Sequence, residues 1–267
     1  QNSSLIIPAN QTLAFDSAFA FGSSRGYEGV SDIISHNGST YISGAYSGDI
    51  NLGLGCTASS TNLQPSSPEA LTNGLAFVAK FDSNGTCIWI APVTFTGGTG
   101  NNHVNRNTDD SHMLDMDSYG NLYLVSSFTS YYFPENVNFG NLTLDNGGVL
   151  HNAFLAKINP NGSFDWVNHL KQSNNYATQC PCTVEVDSSD NIWVTNLYQV
   201  SSLYSQSLLK YNPNGQLLNS TQINGVNVNI HATTSDPNDN LYFAGEFGGT
   251  FSVSINGTSQ SISYESP

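Results

Sequence analysis

Short apolar runs alternate with glycine-containing turns along the whole chain. Three such segments align with one another, at residues 77–85, 154–162 and 208–215, and each ends in an Asn-Gly turn. A further short run follows the turn, as in Cys-Ile-Trp-Ile at 87–90 and Phe-Asp-Trp-Val at 164–167. Because glycine supplies the positive φ of a tight turn, each segment predicts a β-hairpin. Three of the four lysines occupy one position of this pattern: Lys80, Lys157 and Lys210.

A second family of hairpins lies between the members of the first. Residues 117–124, 187–194 and 236–243 match one another, and residues 35–42 form a looser fourth copy. Each begins with a turn rich in Asp and Asn, whose side chains form hydrogen bonds with their own backbone, and this turn joins two apolar strands. The two families in alternation predict a repeat of four antiparallel strands, which is the pattern of a propeller blade rather than of a sandwich.

The predicted fold class is therefore all-β, a β-propeller of about four four-stranded blades. A single domain is expected over residues 1–267, with repeats at about 26–98, 99–171, 172–224 and 225–267, the last joined by residues 1–22. The variable stretches at 50–74 and 130–151 are expected to be loops on one rim, where contacts with partners commonly form.

One family has the same repeat. Residues 117–166 contain the pattern D-x-x-G-N-x-Y followed by A-F-x-A-K and a turn that leads to Trp. This resembles the SBBP-type β-propeller repeat found in exported bacterial and archaeal proteins, and the resemblance extends over nearly the whole chain. It implies a propeller fold and export, and it implies no particular activity, because a fold does not fix function.

The two ends of the chain resemble complementary halves of one blade. After residues 236–243 and 251–255 no third and outer strands are evident, whereas residues 5–7 and 12–15 form a spare pair of strands. These N-terminal strands are expected to complete the last blade. Completion within one molecule is favoured by effective concentration, and completion of a neighbouring molecule would build a filament by β-augmentation.

Charge and composition narrow the possible partners. Only 10% of the residues are charged, against about 25% in an average domain, and the formal net charge is −14 with six Lys and Arg. A nucleic acid partner is excluded because phosphates require clustered cations. No apolar run approaches the ~18 residues of a membrane span, so membrane insertion is not expected. The chain begins with Gln1, which we interpret as the start of a processed secretory protein on the cell surface or outside the cell.

Eight Asn-x-Ser/Thr sequons predict covalent N-linked glycans, and several of them fall in turns. They are Asn2, Asn10, Asn37, Asn84, Asn141, Asn161, Asn219 and Asn256. The four cysteines, Cys56, Cys87, Cys180 and Cys182, have no zinc-binding spacing and predict disulfides in an exported protein. Cys56–Cys87 is the preferred pair because both fall in the first repeat, and the pairing of Cys180 and Cys182 stays open.

Few residues suggest chemistry. His112, Cys182 and His231 share one repeat position and could converge on a metal ion, but an oxidised cysteine would not bind it, and no metal is predicted. Asp115 and Glu185 also share a position, which Ile33 and Thr234 fill in the other repeats. We interpret this pair as polar lining of a channel rather than as an acid and a base.

The Asp-rich turns lack the ligand spacing of a calcium-binding loop, and they are interpreted as turn residues. No catalytic motif and no cofactor site is evident. The sequence thus favours a non-enzymatic, secreted and glycosylated structural surface protein that forms a homo-oligomer or a filament.

Two alternatives remain. The first is a carbohydrate-binding or adhesion module that uses the rim loops, with tyrosines in or near loops as candidates: Tyr46, Tyr131, Tyr132, Tyr198 and Tyr204. The second is a propeller enzyme with a site on the channel axis.

Overall fold

The computed structural model describes most of the chain from Tyr27 onward. The described residues are 27–47, 49–53, 55–59, 75–96, 103–104, 113–129, 136–145, 151–170, 178–200, 203–255 and 258–263. They form antiparallel β-sheets and no helix, which confirms the all-β prediction. In this part of the chain, accordingly, no helix is long and apolar enough to span a membrane.

The first repeat is a four-stranded antiparallel meander with a small hairpin inserted in it. Its strands are β1 (Tyr27–His36), β2 (Ser39–Ser47), β3 (Asp49–Asn51), β4 (Thr57–Ser59), β5 (Leu75–Phe81) and β6 (Cys87–Thr96). The meander runs β1-β2-β5-β6, and β3 pairs with β4. Asn37 and Gly38 both have positive φ, 47° and 71°, in the two-residue turn between β1 and β2. This is the geometry that an Asn-Gly hairpin predicts.

The second repeat has the same meander, built from β8, β9, β12 and β13. Its strands are β7 (His103–Val104), β8 (Leu114–Met116), β9 (Leu122–Thr129), β10 (Asn136–Phe139), β11 (Leu142–Asp145), β12 (His151–Ile158) and β13 (Phe164–His169). The β10–β11 hairpin does not stay with this repeat, because β10 pairs with the outer strand β6 of the first repeat.

That pairing differs from the prediction of a rim loop at 130–151. Phe139 at the end of β10 packs edge-on against Phe154 and Phe164, with ring centroids 4.8 and 5.3 Å apart. Burial of this ring between the two repeats explains why the hairpin lies against the first sheet.

The third and fourth repeats form one continuous sheet, in the order β14-β15-β16-β17-β18-β19. The bounds are β14 (Thr178–Val186), β15 (Ile192–Val200), β16 (Leu203–Tyr211), β17 (Leu217–Ser235), β18 (Leu241–Ile255) and β19 (Thr258–Ser263). The first part of β17 pairs with β16 and the rest pairs with β18. The strand therefore runs through residues 224 and 225, where the sequence predicted a repeat boundary.

Three hydrophobic clusters of described residues join consecutive repeats. The first includes both faces of repeat one and reaches Phe154 of repeat two, and the second joins repeats two and three around Tyr123 and Val194. The third, around Ile223, joins repeats three and four and is the smallest of the three. The inner strands of consecutive repeats also contact one another, β1 with β8, β8 with β14 and β14 with β17. Each repeat thus packs face to face on the next.

The β3–β4 hairpin covers the face of repeat one that is turned away from repeat two. Ile50 and Cys56 of this hairpin are buried in the first cluster. A disulfide joins Cys56 to Cys87 with the two Cα atoms 6.1 Å apart, which confirms the predicted pair. Lys80 pairs with Trp89, which faces repeat two, and the next residue, Phe81, points to the opposite face because side chains alternate along a strand. A bulge between these two pairs shifts the register, so that Cys87 pairs with Phe81 and lies on that opposite face, although it is two residues from Trp89. We call β3–β4 the cap hairpin.

Candidate functional site

A tryptophan on the outer strand of one repeat docks beneath a turn of the next repeat. Trp89 Nε1 donates a hydrogen bond to the carbonyl oxygen of Pro160 at 3.1 Å, and Trp166 Nε1 donates to that of Pro213 at 3.2 Å. The fit is close, since a Cβ added to Gly162 would lie 2.7 Å from the Trp89 ring. The recurring Trp was visible in the sequence, but nothing there indicated that it would bind the turn of the next repeat.

Carboxylates on the inner strands make a second set of links between repeats. In each link, a carboxylate accepts a hydrogen bond from a backbone N–H of the next repeat. The pairs are Asp32 with Leu114 at 3.1 Å, Asp115 with Val186 at 2.6 Å, and Glu185 with Ser235 at 2.6 Å. These links account for the two carboxylates that the sequence placed in one position.

In the first repeat, the residue that takes this role is Asp32 rather than the Ile33 of the sequence alignment. The turn that follows β1 has two residues, Asn37 and Gly38, and the β1–β2 register shifts between Val30 and Asp32. The later repeats have longer Asp-initiated turns. An alignment anchored on those turns is therefore displaced by one residue in repeat one.

Asp115 has a strongly raised pKa. Burial raises its pKa to about 7, and the negative charges of Glu185 and Asp32 add to the rise, against hydrogen bonds donated by the backbone N–H groups of Val186 and Met116. Both Asp115 oxygens are engaged, Oδ1 with Met116 and Oδ2 with Val186. The geometry supports a role in joining repeats rather than in proton transfer to a substrate.

The Asp residues at the starts of the turns hold those turns closed. In each case Oδ1 accepts backbone N–H groups two and four residues later, and Oδ2 accepts from an aromatic side chain. The Asp and aromatic pairs are Asp117 with Tyr123, Asp187 with Trp193, and Asp236 with Tyr242. Burial opposes ionisation of Asp187, but donors that include Trp193, Asn191 and Lys210 lower its pKa. This use of the carboxylates agrees with the interpretation as turn residues.

Two of these turns also contact the turn of the next repeat. Ser118 N and Oγ both donate to the Asp190 carboxylate at 2.8 Å, and Ser188 N donates to Asp239 Oδ1 at 2.9 Å. Asp190 and Asp239 have positive φ of 61°, in the slot that Gly120 fills in repeat two. Among the described residues, this contact is seen at the two junctions where that position holds an Asp.

Among the side chains that are described, His231 is the only one of the three residues that share a repeat position and were weighed as metal ligands. His231 Nε2 lies 3.8 Å from Glu246 Oε1, and no group of three or more His, Cys, Asp or Glu side chains there could hold an ion. His112 lies outside the described residues. Cys180 and Cys182 lie in β14, but their side chains are not among those described, so their pairing stays a prediction.

Five of the eight sequon asparagines are described, and all five are exposed. Four lie in turns and one lies near the start of β17: Asn37, Asn84, Asn141, Asn161 and Asn219. In an antiparallel meander the first and third turns lie at the same end of the strands. Asn37 is in a first turn and Asn84 and Asn161 are in third turns, so the three share one side of the protein. Asn2, Asn10 and Asn256 lie outside the described residues.

The tyrosine candidates for sugar binding are not supported where they can be judged. Tyr46 lies near the end of β2 and is fully buried, with its ring 6.0 Å from that of Phe77, so its ring is not exposed to a sugar ligand. Tyr131 and Tyr132 lie outside the described residues. Tyr198 and Tyr204 lie in strands, and their side chains are not among those described.

In the described part of the chain, the second strand of repeat four has an unpaired stretch that the second strands of the other three repeats lack. The second strands of those repeats, β2, β9 and β15, each pair along their length with a third strand, β5, β12 or β16. In repeat four, β19 pairs only with residues 250–255 of β18. No third strand pairs with residues 241–246 in the part of the chain that is described, and Tyr242 is 54% exposed there. We call residues 241–246 the open edge.

Together, the fold and the junctions define a protein of tandem antiparallel β-repeats. No known family model matches this chain. No curated protein is significantly similar to it in sequence.

Proposed function

We propose that this protein is a secreted, N-glycosylated and non-enzymatic subunit of an extracellular filament or sheath. In such a filament, the N-terminal strands of one copy, residues 5–15, complete the fourth repeat of the next copy. The repeats would be arranged as consecutive propeller blades, as the resemblance to the SBBP-type repeat implies, in a series that stays open between repeats four and one.

The observation that carries this proposal is the open edge. A strand edge presents unpaired N–H and C=O groups, and natural proteins cover such edges or use them to bind another strand. Addition of an extended segment to an exposed edge is a recurrent mode of recognition. Residues 5–15 contain two short apolar runs around a turn, which is what the third and fourth strands of a blade require.

Donation between molecules, rather than within one, is supported at the first repeat. Closure of a ring would bring repeat four against the face of repeat one that is turned away from repeat two. The cap hairpin already occupies much of that face, tied by the Cys56–Cys87 disulfide. On the same face Ile33, opposite Ile42 in the β1–β2 pairing, is 65% exposed. The cap hairpin thus covers part of this face of repeat one, whereas residues 241–246 of repeat four have no third strand beside them among the described residues.

The disulfide and the exposed sequons support the proposed location. Disulfides persist mainly outside the reducing cytosol, and N-glycosylation requires accessible asparagines in an exported chain. Asn37, Asn84 and Asn161 are exposed on one side of the protein. A surface coated with neutral sugar would also compensate for the low charge content of the chain.

Negative-stain electron microscopy and sedimentation test the proposal on purified protein from which the N-linked glycans have been removed. We expect filaments at high concentration, and we expect that Ile6→Asp, which places a charge in the donated strand, abolishes them. Gln11→Asp is the matched control, because it places the same charge in the predicted turn and should leave filaments intact. Uniform monomers at all concentrations, or filaments that Ile6→Asp does not weaken, would overturn the proposal.

A further inference from the structure

The outer strand of repeat three departs from its counterparts at one position. In each of the first three repeats, this position lies directly opposite the lysine that recurs in the sequence. The pairs are Lys80 with Trp89, Lys157 with Trp166, and Lys210 with Asn219. Where the first two repeats have a tryptophan, the third has the asparagine of an Asn-Ser-Thr sequon.

This position is where the next repeat rests its turn between the third and fourth strands. At the first junction the turn approaches so closely that a Cβ on Gly162 would lie 2.7 Å from Trp89, and at the second a Cβ on Gly215 would lie 3.0 Å from Trp166. The turn backbone thus closes over the side chain. Strands that complete repeat four in the same way would bring their own turn over Asn219.

Asn219 is accessible in the described part of the structure, which does not include the turn of the strands that would complete repeat four. It is exposed, and its Oδ1 accepts a local hydrogen bond from Ser220 N at 2.8 Å.

We infer that a glycan on Asn219 prevents strand addition at the open edge, so that glycosylation of this one residue controls assembly. A turn that contacts an indole ring leaves no path for a branched oligosaccharide, which has to extend from the asparagine into solvent. The unmodified amide is smaller than the indole and leaves the turn free to dock. This inference rests on the proposed strand donation and specifies how it is regulated.

The test compares the secreted, glycosylated protein with three variants. Asn219→Gln removes the acceptor, and Thr221→Val removes the sequon while it keeps Asn219 and the shape of a buried side chain. Asn84→Gln is the matched control, because it removes an exposed sequon from a turn of repeat one. The measurements are glycan occupancy at Asn219 by mass spectrometry, sedimentation, and hydrogen exchange of the backbone amides in residues 241–246.

We expect filaments, with exchange in residues 241–246 slowed by about 100-fold or more, for Asn219→Gln and Thr221→Val. The wild type with occupied Asn219 and the Asn84→Gln variant should show neither. Equal occupancy of Asn219 in assembled and soluble wild-type protein would overturn the inference, since a glycan would then be accommodated beneath the turn.

Two other results separate the inference from the proposed function. Slow exchange in the unglycosylated variants without filaments would mean that each molecule completes its own fourth repeat, so the filament is refuted while the role of Asn219 stands. Fast exchange and no filaments in every variant would overturn both.

Discussion

Gly162 offers a sharp test of the docking between repeats. Its φ is +87° and a Cβ placed on it would lie 2.7 to 3.0 Å from three atoms of the Trp89 ring. Gly53 has the same φ of +87° with nothing within 4 Å of its Cβ position. The substitutions Gly162→Ala and Gly53→Ala therefore share the backbone strain and differ in the contact with the tryptophan.

The left-handed backbone costs an L-residue about 1–2 kcal/mol, which is the full cost expected for Gly53→Ala. Forcing a methyl group against a packed ring costs a further ~1–3 kcal/mol. Displacement of the ring also weakens the Trp89–Pro160 hydrogen bond. We therefore expect Gly162→Ala to lower the free energy of unfolding by about 2–5 kcal/mol in total.

Urea unfolding followed by far-ultraviolet circular dichroism and by tryptophan fluorescence measures both variants. In a Trp89→Ala background, Gly162→Ala should cost no more than Gly53→Ala, because the ring is gone. If Gly162→Ala and Gly53→Ala differ by less than about 0.5 kcal/mol in the wild-type background, the tryptophan does not hold the turn and the account of the junction is wrong.

Three further substitutions test the remaining contacts. Asp115 binds its proton more tightly in the folded protein, so its contribution to the free energy of unfolding is fully present below pH 3.8 and is lost as the pH rises to about 7. Asp115→Asn should remove about 2–4 kcal/mol of this pH dependence of stability. Urea unfolding from pH 3 to 8 measures it. Asp187→Asn leaves the Trp193 indole without its acceptor and should cost about 1–3 kcal/mol at pH 7. Because its pKa is lowered, that cost should shrink as the pH falls below 3.8 in the same titration. Replacing Cys56 and Cys87 by Ser removes a disulfide that spans a sequence separation of 31. It should lower the free energy of unfolding by about 3–4 kcal/mol in thermal or urea unfolding. A reductant should cause the same loss in the wild type and none in the variant.

Local features of the fold could be predicted from the sequence because their causes are local. The Asn-Gly hairpins follow from the backbone freedom of glycine, and the recurring Lys80, Lys157 and Lys210 marked one position of the repeat. The Cys56–Cys87 pair followed from its place within one repeat. Each of these needs only a short stretch of chain.

Features that depend on contacts between repeats could not be predicted in this way. The pairing of β10 with β6 depends on the burial of Phe139 between two repeats, and no short-range sequence pattern encodes that contact. Asp32 was missed because a shorter turn displaces the first repeat by one residue. The roles of Trp89 and Trp166 became evident only when the turn of the next repeat was placed beside them.

The cap hairpin gives the array of repeats a direction in evolutionary terms. A repeat added by internal duplication needs an uncovered neighbour to pack on, and the face of repeat one is closed by a covalent tether through Cys56. A duplicate inserted ahead of Tyr27 would have to displace that tether, whereas one inserted after repeat one would find the junction residues it needs. Longer relatives of this protein are therefore expected to gain units downstream and to keep the tethered hairpin in their first unit alone.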